Sequence, residues 1–211
     1  MFSIKYERYL EFENTRIIVL KLDVDAESLV KQFDKFEIYT LEYSKIVSEK
    51  RKLEFLGVRL ALNQLIGKEV QISYDKTGKP FLADNSFQIS ISHSGKWIAV
   101  IIDPEHSVGI DIECPNKKIE KLSNRFLSKI ELEDLIEEKK FEQLLVLWSA
   151  KEALYKIIGK DAVDFANQLR ISQLPMNNTE GDFSGIHVST SKTYNLSYIQ
   201  SPDYTLVYCK I

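Results

Sequence analysis

Two carboxylates separated by one residue are the first feature of this 211-residue sequence that could do chemistry. Asp111 and Glu113 lie in Ser107–Glu113 (SVGIDIE), whose alternating pattern predicts a strand. Successive side chains of a strand point to opposite faces, so both carboxylates share one face with Gly109. They repel each other unless a cation lies between them, and their oxygens suit a hard ion such as Mg²⁺. The pair alone is more often a solvated strand face.

A third carboxylate lies in a predicted amphipathic helix over Phe141–Ile158. At about 100° per residue, the apolar stripe of this helix consists of Phe141, Leu144, Leu145, Trp148 and Tyr155. Glu152 falls inside that stripe, so we expect it to be partly desolvated and to need a metal, a cation or an altered pKa. Lys156 follows one turn later, and a simple helical Glu–Lys pair is the alternative interpretation. Lys151, at the edge of the stripe, is expected to reach solvent.

A small polar turn follows a predicted strand, Phe87–Ser92. In this turn Ser92, His93 and Ser94 could donate hydrogen bonds to a phosphate, and Gly95 would let the backbone approach it closely. No nearby acidic residue indicates a Ser-His-Asp nucleophile. The other two histidines, His106 and His187, are interpreted as structural.

Cations that could hold a polyphosphate precede this turn. Arg51 and Arg59 lie about two turns apart in a predicted helix, and Lys76 and Lys79 flank the turn at Gly78. Each of them alone is most simply a solvated surface charge. The sequence contains neither a Walker A loop nor a G-x-G-x-x-G fingerprint, so a P-loop nucleotidase and a Rossmann dehydrogenase are unsupported.

The elements that must position these residues alternate between strand and helix. A helix is predicted over Leu41–Ile66, closed by Gly67, and a shorter one over Ile130–Lys139. An exposed loop is predicted over Asn177–Ser184. The predicted strands are Arg16–Leu22, Val70–Tyr74, Phe87–Ser92, Trp97–Ile102, Ser107–Glu113, Thr193–Ile199 and Tyr204–Ile211. We therefore expect an α+β protein with two related lobes, residues 1–105 and 106–211.

Composition limits the classes of partner. The formal charge of −3 and the pI of about 5.7 do not predict binding to nucleic acid or to a membrane, so an anionic ligand needs a local cluster of cations. Cys114 and Cys209 have no metal-ligand spacing and suit a reducing compartment. The first residues lack the apolar run of a signal peptide, and no segment approaches the roughly 18 apolar residues of a membrane span. A cytoplasmic protein is expected.

Taken together and in order, four segments resemble the 4′-phosphopantetheinyl transferase superfamily, in particular its larger, surfactin-synthetase-activating (Sfp-like) type. The matching segments are K-T-G-K-P (Lys76–Pro80), I-S-H-S-G (Ile91–Gly95), V-G-I-D-I-E (Val108–Glu113) and W-S-A-K-E-A-L-Y-K (Trp148–Lys156). F-L-S-K-I-E (Phe126–Glu131) also fits the stretch that such enzymes carry between the last two. The resemblance covers roughly residues 51–160.

The resemblance implies a fold, a reaction and partners. The fold would be a pseudo-dimer of two similar α/β lobes with the active site in the cleft between them. The reaction would move the phosphopantetheine arm of coenzyme A onto a serine of an apo acyl or peptidyl carrier protein and release adenosine 3′,5′-bisphosphate. Because one chain would supply both sides of the cleft, a monomer is expected.

Individual roles follow from the same resemblance. Asp111, Glu113 and Glu152 match the positions that bind Mg²⁺ on the coenzyme A pyrophosphate, and Glu152 also matches the proposed general base. Lys156 matches the lysine that neutralises charge at the transferred phosphate. The remaining matches are to coenzyme A contacts, Ser92, His93 and Lys79, and the resemblance places Arg51 and Arg59 in a region that supplies further phosphate contacts.

Two rival functions stay open at the level of sequence. One is a different Mg²⁺-dependent phosphoryl-transfer enzyme, which could also use a D-x-E pair and a remote glutamate. The other is a non-catalytic module that binds coenzyme A or a carrier protein. The presence of all three carboxylates together with Lys156 argues against a loss of catalysis.

Overall fold

A computed structural model of the chain describes residues 6–159, 163–172, 174 and 178–211. The chain divides into two compact units, Met1–Glu105 and His106–Ile211. Both units combine helices with antiparallel sheets, so the predicted α+β class is confirmed, while a pseudo-dimeric relation between the units stays a prediction. None of the helices in the described ranges has the length and apolar character that crossing a membrane would require.

The first unit is built on a four-stranded antiparallel sheet. The described strands of the unit are, along the chain, β1 (Tyr6–Phe12), β2 (Thr15–Lys21), β3 (Ile72–Tyr74), β4 (Pro80–Leu82), β5 (Gln88–Ser94) and β6 (Trp97–Asp103). The sheet has the order β1-β2-β6-β5, and β3 and β4 form a separate hairpin. Its helices are α1 (Ala26–Val30), α2 (Thr40–Tyr43) and α3 (Glu49–Ile66), with a 3-10 turn at Phe36–Tyr39. Strand β6 is buried along its whole length, as its uniformly apolar sequence predicts.

The single helix predicted over Leu41–Ile66 is wrong, because the chain forms two helices there. Helix α2 ends at Tyr43 and α3 begins after Ser48. The Ser48 hydroxyl caps α3 by accepting a hydrogen bond from the Arg51 amide at 3.5 Å. A serine that satisfies a free helical N–H group favours a new helix start at that point. The predicted end is confirmed, since Gly67 adopts the left-handed conformation, φ 82°, that closes α3.

The second unit is built on a five-stranded antiparallel sheet. Along the chain its strands are β7 (Val108–Glu113), β8 (Leu169–Ile171), β9 (Glu180–His187), β10 (Lys192–Gln200) and β11 (Thr205–Lys210). Their order in the sheet is β7-β11-β10-β9-β8. Its helices are α4 (Lys118–Phe126), α5 (Lys129–Glu133), α6 (Lys140–Ile158) and α7 (Phe165–Gln168), with a 3-10 turn at Glu137–Lys139. The long helix α6 packs on this sheet, and the two share one apolar core.

The continuous helix predicted over Ile130–Lys139 is also wrong. Helix α5 stops at Glu133, and only a 3-10 turn follows. Between them the backbone of Ile136 is extended, and its N–H donates to the Gln143 side chain at 2.7 Å instead of to a helical carbonyl. The Gln143 side chain of α6 therefore replaces a helical carbonyl as the acceptor for the Ile136 amide, beyond the end of α5.

The predicted exposed loop over Asn177–Ser184 is a strand from Glu180 onward, whereas Asn178 and Thr179 are exposed and lie outside it. Asn177 lies outside the described residues, and β9 covers the segment from Glu180. Phe183, Gly185 and His187 alternate toward the buried face of the sheet. The sequence does not show this pattern, because two of the three inward positions are Gly185 and His187, whereas the apolar Ile186 lies on the other face.

Gly109 fixes how closely strand β7 and helix α6 approach each other. A Cβ atom at this position would lie 2.2 Å from the Ala153 carbonyl oxygen and 3.0 Å from the Ile157 side chain. Only a residue without a side chain therefore lets the strand backbone lie directly against the helix backbone.

Replacement of Gly109 by Ala is expected to push α6 away from β7. Because the obstacle is a backbone carbonyl, the free energy of unfolding should fall by at least about 2 kcal/mol, the usual scale of overpacking. Urea unfolding followed by circular dichroism measures the change. Asn195→Ala, at an exposed position of β10, is the control and should cost less than about 0.5 kcal/mol. Equal stability of the two variants would contradict this account of the packing.

Candidate functional site

The face of β7 that carries Gly109 also presents the two predicted carboxylates to α6. Asp111 Oδ1 accepts a hydrogen bond from Lys156 Nζ at 2.9 Å, and Glu113 Oε1 accepts one from the Trp148 indole Nε1 at 3.1 Å. The helix therefore runs opposite to the strand. Glu152 lies on α6 one turn from each of these contacts, so the structure brings all three carboxylates and Lys156 to the same strand–helix contact.

Lys156 is held by two acceptors on β7. Besides Asp111, its ammonium donates to the Ile110 carbonyl at 2.6 Å. The Asp111 side chain is 6% exposed and that of Lys156 is 24% exposed, so the ion pair is largely withdrawn from water. An ion pair at low exposure keeps a fixed geometry because both charges need their partners.

Glu152 carries the largest electrostatic perturbation at this site. Burial raises its pKa from 4.5 to about 7; the negative charge of Asp111 adds to the rise, and Lys156 opposes it. The charge of Glu113 contributes in the same direction as that of Asp111. The predicted partial desolvation of Glu152 is confirmed. A carboxyl of this kind is stabilised by a proton or by a cation.

The donor set of the site fits a hard divalent cation in its chemistry. Three carboxylates that repel one another electrostatically would gain from a positive ion among them, and Mg²⁺ prefers oxygen ligands. Within the described part of the chain, however, no three acidic, histidine or cysteine side chains already converge on one point. The two strand carboxylates point instead to hydrogen-bond donors on α6, Lys156 and Trp148.

The expectation that Lys151 reaches solvent is wrong, because its side chain is fully buried. Its ammonium donates to Glu131 Oε2 at 2.8 Å and to the carbonyls of Phe126 at 2.8 Å, Leu169 at 2.9 Å and Phe165 at 3.0 Å. Burial lowers the pKa of Lys151, and the charge of Glu131 opposes that shift. The helical wheel of α6 could not reveal this role, since the acceptors come from distant parts of the sequence.

The predicted phosphate-binding turn lies in the first unit, at the end of β5. Ser92 is buried, whereas the His93 side chain is 47% exposed, with Nδ1 3.5 Å from Glu54 Oε1. Gly95 belongs to the two-residue connection between β5 and β6 and has φ 58°, so the turn itself requires a glycine here. His93 is thus accessible to a ligand.

The turn around Lys79 has the predicted form. Asp75 Oδ1 accepts hydrogen bonds from the amides of Thr77 at 2.7 Å and Lys79 at 3.0 Å. Lys79 lines an open pocket of about 280 Å³ together with Phe81 and Phe87. A cation beside aromatic rings suits a ligand that is both anionic and planar.

The two arginines have different environments. Arg51 is exposed in the first turn of α3, so a phosphate contact stays a prediction. Arg59 is buried: its side chain is 4% exposed, pairs with Glu42 at 2.6 Å and lies 3.3 Å from the centre of the Phe55 ring. The guanidinium is enclosed by these partners, and a phosphate contact for Arg59 stays a prediction. Helical spacing alone could not distinguish these cases.

Replacement of Glu152 by Gln tests whether the pKa of Glu152 is raised in the folded protein. A carboxyl whose pKa is higher in the folded than in the unfolded state favours folding at low pH, and this contribution disappears as the pH rises from about 4.5 to about 7. In metal-free buffer the variant should therefore gain stability over the wild type across this interval, reaching about 2 kcal/mol above pH 7.

Chemical denaturation in the presence of a chelator, at several pH values, measures the difference. Glu142→Gln, at an exposed position of the same helix, is the control and should show no such trend. A stability difference for Glu152→Gln that is flat between pH 4.5 and pH 7 would contradict the raised pKa.

Comparison with known proteins shows that the second unit is similar to one family. Residues 107–209 match the family model of the 4′-phosphopantetheinyl transferase superfamily. Over 101 residues the chain is 36% identical to the 4′-phosphopantetheinyl transferase ffp of Bacillus subtilis, covering 46% of this chain and 45% of that protein. Over 118 residues it is 31% identical to the 4′-phosphopantetheinyl transferase AcpT of Salmonella typhi, covering 53% and 62%.

The chain thus matches 45% of the length of the first relative and 62% of that of the second. The family match includes β7 with its two carboxylates and α6 with Glu152 and Lys156. The motifs recognised in the sequence and the match of the second unit agree: residues 107–209 are similar to the 4′-phosphopantetheinyl transferase superfamily.

Proposed function

We propose that the protein is a 4′-phosphopantetheinyl transferase of the surfactin-synthetase-activating type. It would transfer the phosphopantetheine arm of coenzyme A to a serine of an apo carrier protein and release adenosine 3′,5′-bisphosphate. The observation that carries this proposal is the placement of Asp111, Glu113, Glu152 and Lys156 on the facing sides of β7 and α6, within the segment that matches the superfamily.

The first part of the proposal is a Mg²⁺ site formed by Asp111, Glu113 and Glu152. Burial, together with repulsion from Asp111 and Glu113, raises the pKa of Glu152, and this supports the site because a divalent cation would stabilise the charged carboxylate. When bound, Mg²⁺ supplies positive charge that offsets the negative charge of the coenzyme A pyrophosphate. To bind it, the two strand carboxylates would exchange their contacts with Lys156 and Trp148 or share them with the ion.

Lys156 would provide a second positive charge for the transferred phosphate. The Ile110 carbonyl holds the ammonium in place, and about a quarter of the side chain stays exposed and thus accessible to a ligand. An ammonium fixed before the substrate arrives needs little reorganisation during phosphoryl transfer.

Glu152 has a second candidate role as the general base. The serine oxygen forms a bond to the phosphorus that carries the pantetheine arm, and the bond from that phosphorus to the bridging pyrophosphate oxygen breaks. The serine proton would pass to a Glu152 carboxylate oxygen. A pKa of about 7 gives Glu152 a useful deprotonated fraction and a higher basicity than an ordinary carboxylate. Metal ligation lowers that basicity. The roles of metal ligand and general base therefore compete for the Glu152 side chain.

The phosphate contacts are proposed for the first unit. His93 is exposed, Lys79 lines a pocket beside two aromatic rings, and Arg51 is exposed near the start of α3. Ser92, which is buried, would contribute a hydroxyl hydrogen bond. Arg59 would join this set only by exchanging its buried pair with Glu42 for the ligand.

Replacement of Asp111 by Ala and of Glu152 by Gln should each lower transfer by at least about a hundredfold, because each removes a carboxylate from the proposed metal site. The purified protein is incubated with coenzyme A, Mg²⁺ and several apo carrier proteins, and each carrier is weighed by mass spectrometry. Glu142→Gln is the matched control and should transfer at the wild-type rate.

A missing mass gain on every carrier with the wild-type protein would overturn the enzyme proposal. It would favour a module that only binds coenzyme A or carrier proteins. Cleavage of coenzyme A without modification of any carrier would favour a different phosphoryl-transfer enzyme. Near wild-type transfer by either site variant would remove that carboxylate from the site.

Replacement of His93 by Ala should raise the KM for coenzyme A severalfold with little change in kcat, since a phosphate contact that is equal in the ground and transition states affects binding alone. Steady-state kinetics with one carrier measures both constants. His106→Ala is the control, because His106 is also an exposed histidine. An unchanged KM in His93→Ala would exclude it from the coenzyme A contacts.

A further inference from the structure

We propose that Trp148 is a positioning residue whose indole N–H sets the orientation of Glu113 for metal binding. This inference rests on the proposed function, because it assigns a purpose to a residue that touches a proposed metal ligand. In the sequence, Trp148 is a member of the apolar stripe of α6 and the first residue of the W-S-A-K-E-A-L-Y-K segment, with no role of its own assigned to it. The structure adds a polar contact that an apolar stripe does not need.

The contact joins the indole Nε1 to Glu113 Oε1 at 3.1 Å. A glutamate at a strand end has three rotatable side-chain bonds, and fixing them costs up to about 2 kcal/mol of conformational entropy. A hydrogen bond formed before the metal arrives covers part of that cost. It also holds Glu113 on the helix-facing side, where Asp111 and Glu152 lie, against the repulsion of their charges.

The indole itself is held by two phenylalanine rings. Its ring centre lies 5.2 Å from that of Phe126 in an edge-to-face arrangement and 5.8 Å from that of Phe165 in a tilted one. Such aromatic pairs have preferred orientations, so the direction of the N–H is fixed by packing.

The backbones of these two phenylalanines are joined by the buried ammonium of Lys151. Its Nζ donates to the Phe126 carbonyl at 2.8 Å and to the Phe165 carbonyl at 3.0 Å. Lys151 and Trp148 are one turn apart on α6 and therefore lie on neighbouring positions of one helix face. The contacts thus form a continuous series from Lys151 through Phe126 and Phe165 to Trp148 and then to Glu113.

Simple core packing is the competing explanation for Trp148. A phenylalanine would serve packing nearly as well, because the edge-to-face contacts need only an aromatic ring. The N–H group is the part of the side chain that packing leaves unexplained. Replacement of Trp148 by Phe therefore separates the two explanations: it keeps a ring and removes the donor.

Binding of Mn²⁺, a paramagnetic substitute for Mg²⁺, provides a test that does not depend on transfer activity. Electron paramagnetic resonance of free Mn²⁺ gives the Kd for the wild type, Trp148→Phe and the control Trp97→Phe. Trp97 is the other tryptophan of the chain and lies in β6 of the first unit. We expect about a tenfold higher Kd for Trp148→Phe, the effect of losing a hydrogen bond to a metal ligand, and no change for Trp97→Phe.

Two further measurements keep the test sharp if Trp148→Phe folds poorly. In Trp97→Phe the only indole is Trp148, so its fluorescence should change with Mn²⁺ at the same midpoint as the resonance titration. Phe165→Leu keeps the indole N–H but loosens its support, and it should raise the Kd about two- to fivefold. Circular dichroism of each variant checks that the fold is intact.

A Kd for folded Trp148→Phe within twofold of the wild type would overturn the inference. Fluorescence of Trp148 that does not respond to Mn²⁺, or a wild type that binds no Mn²⁺, would overturn it as well. Failure of the proposed function is a separate outcome. A wild type that modifies no carrier, but whose Mn²⁺ affinity depends on Trp148, would disprove the transferase proposal and leave the positioning role intact.

Discussion

The direct contact between the backbone of Gly109 and the carbonyl of Ala153 is the constraint on which the second unit depends. With no side chain between them, strand β7 and helix α6 lie close enough for side chains two and four residues further along the strand to meet residues on the helix. Asp111 then reaches Lys156, and Glu113 reaches Trp148. A larger separation would leave those carboxylates solvated and independent of one another. The grouping of charged side chains at this site thus depends on Gly109, a residue without a functional side chain.

Helix α6 uses two lysines in opposite ways. Lys151 is enclosed, with an ion-pair partner and three backbone carbonyls that satisfy its charge, so it organises the fold. Lys156 has one carboxylate and one carbonyl as partners and keeps part of its surface exposed, so it can still meet an anionic ligand. The difference comes from what covers each face of the helix. Full satisfaction of a buried charge gives rigidity, whereas partial satisfaction leaves interaction energy for a substrate.

The parts of the site that follow from local periodicity could be predicted from the sequence. Strand alternation placed Asp111 and Glu113 together, and helical periodicity placed Glu152 in a desolvated position. Features that depend on contacts distant in sequence could not be predicted in this way. The burial of Lys151 depends on α4, α5 and α7, and that of Arg59 depends on the ring of Phe55 and on a short preceding helix.

The wrongly predicted helix boundaries also come from contacts that composition does not show. At these points a side chain forms a hydrogen bond with the backbone, although the composition still favours a helix. Ser48 begins α3 by capping it, and Gln143 accepts the hydrogen bond of the Ile136 amide after α5 ends.

The Lys151–Glu131 pair limits how this sequence can change over evolutionary time. Loss of either charge leaves the other buried without its ion-pair partner, and only the hydrogen bonds from Ser128 and Ile171 to Glu131, or from Lys151 to backbone carbonyls, remain. Substitution of one partner alone is expected to lower the stability of the second unit. Descendants of this chain should therefore keep both residues or exchange both together.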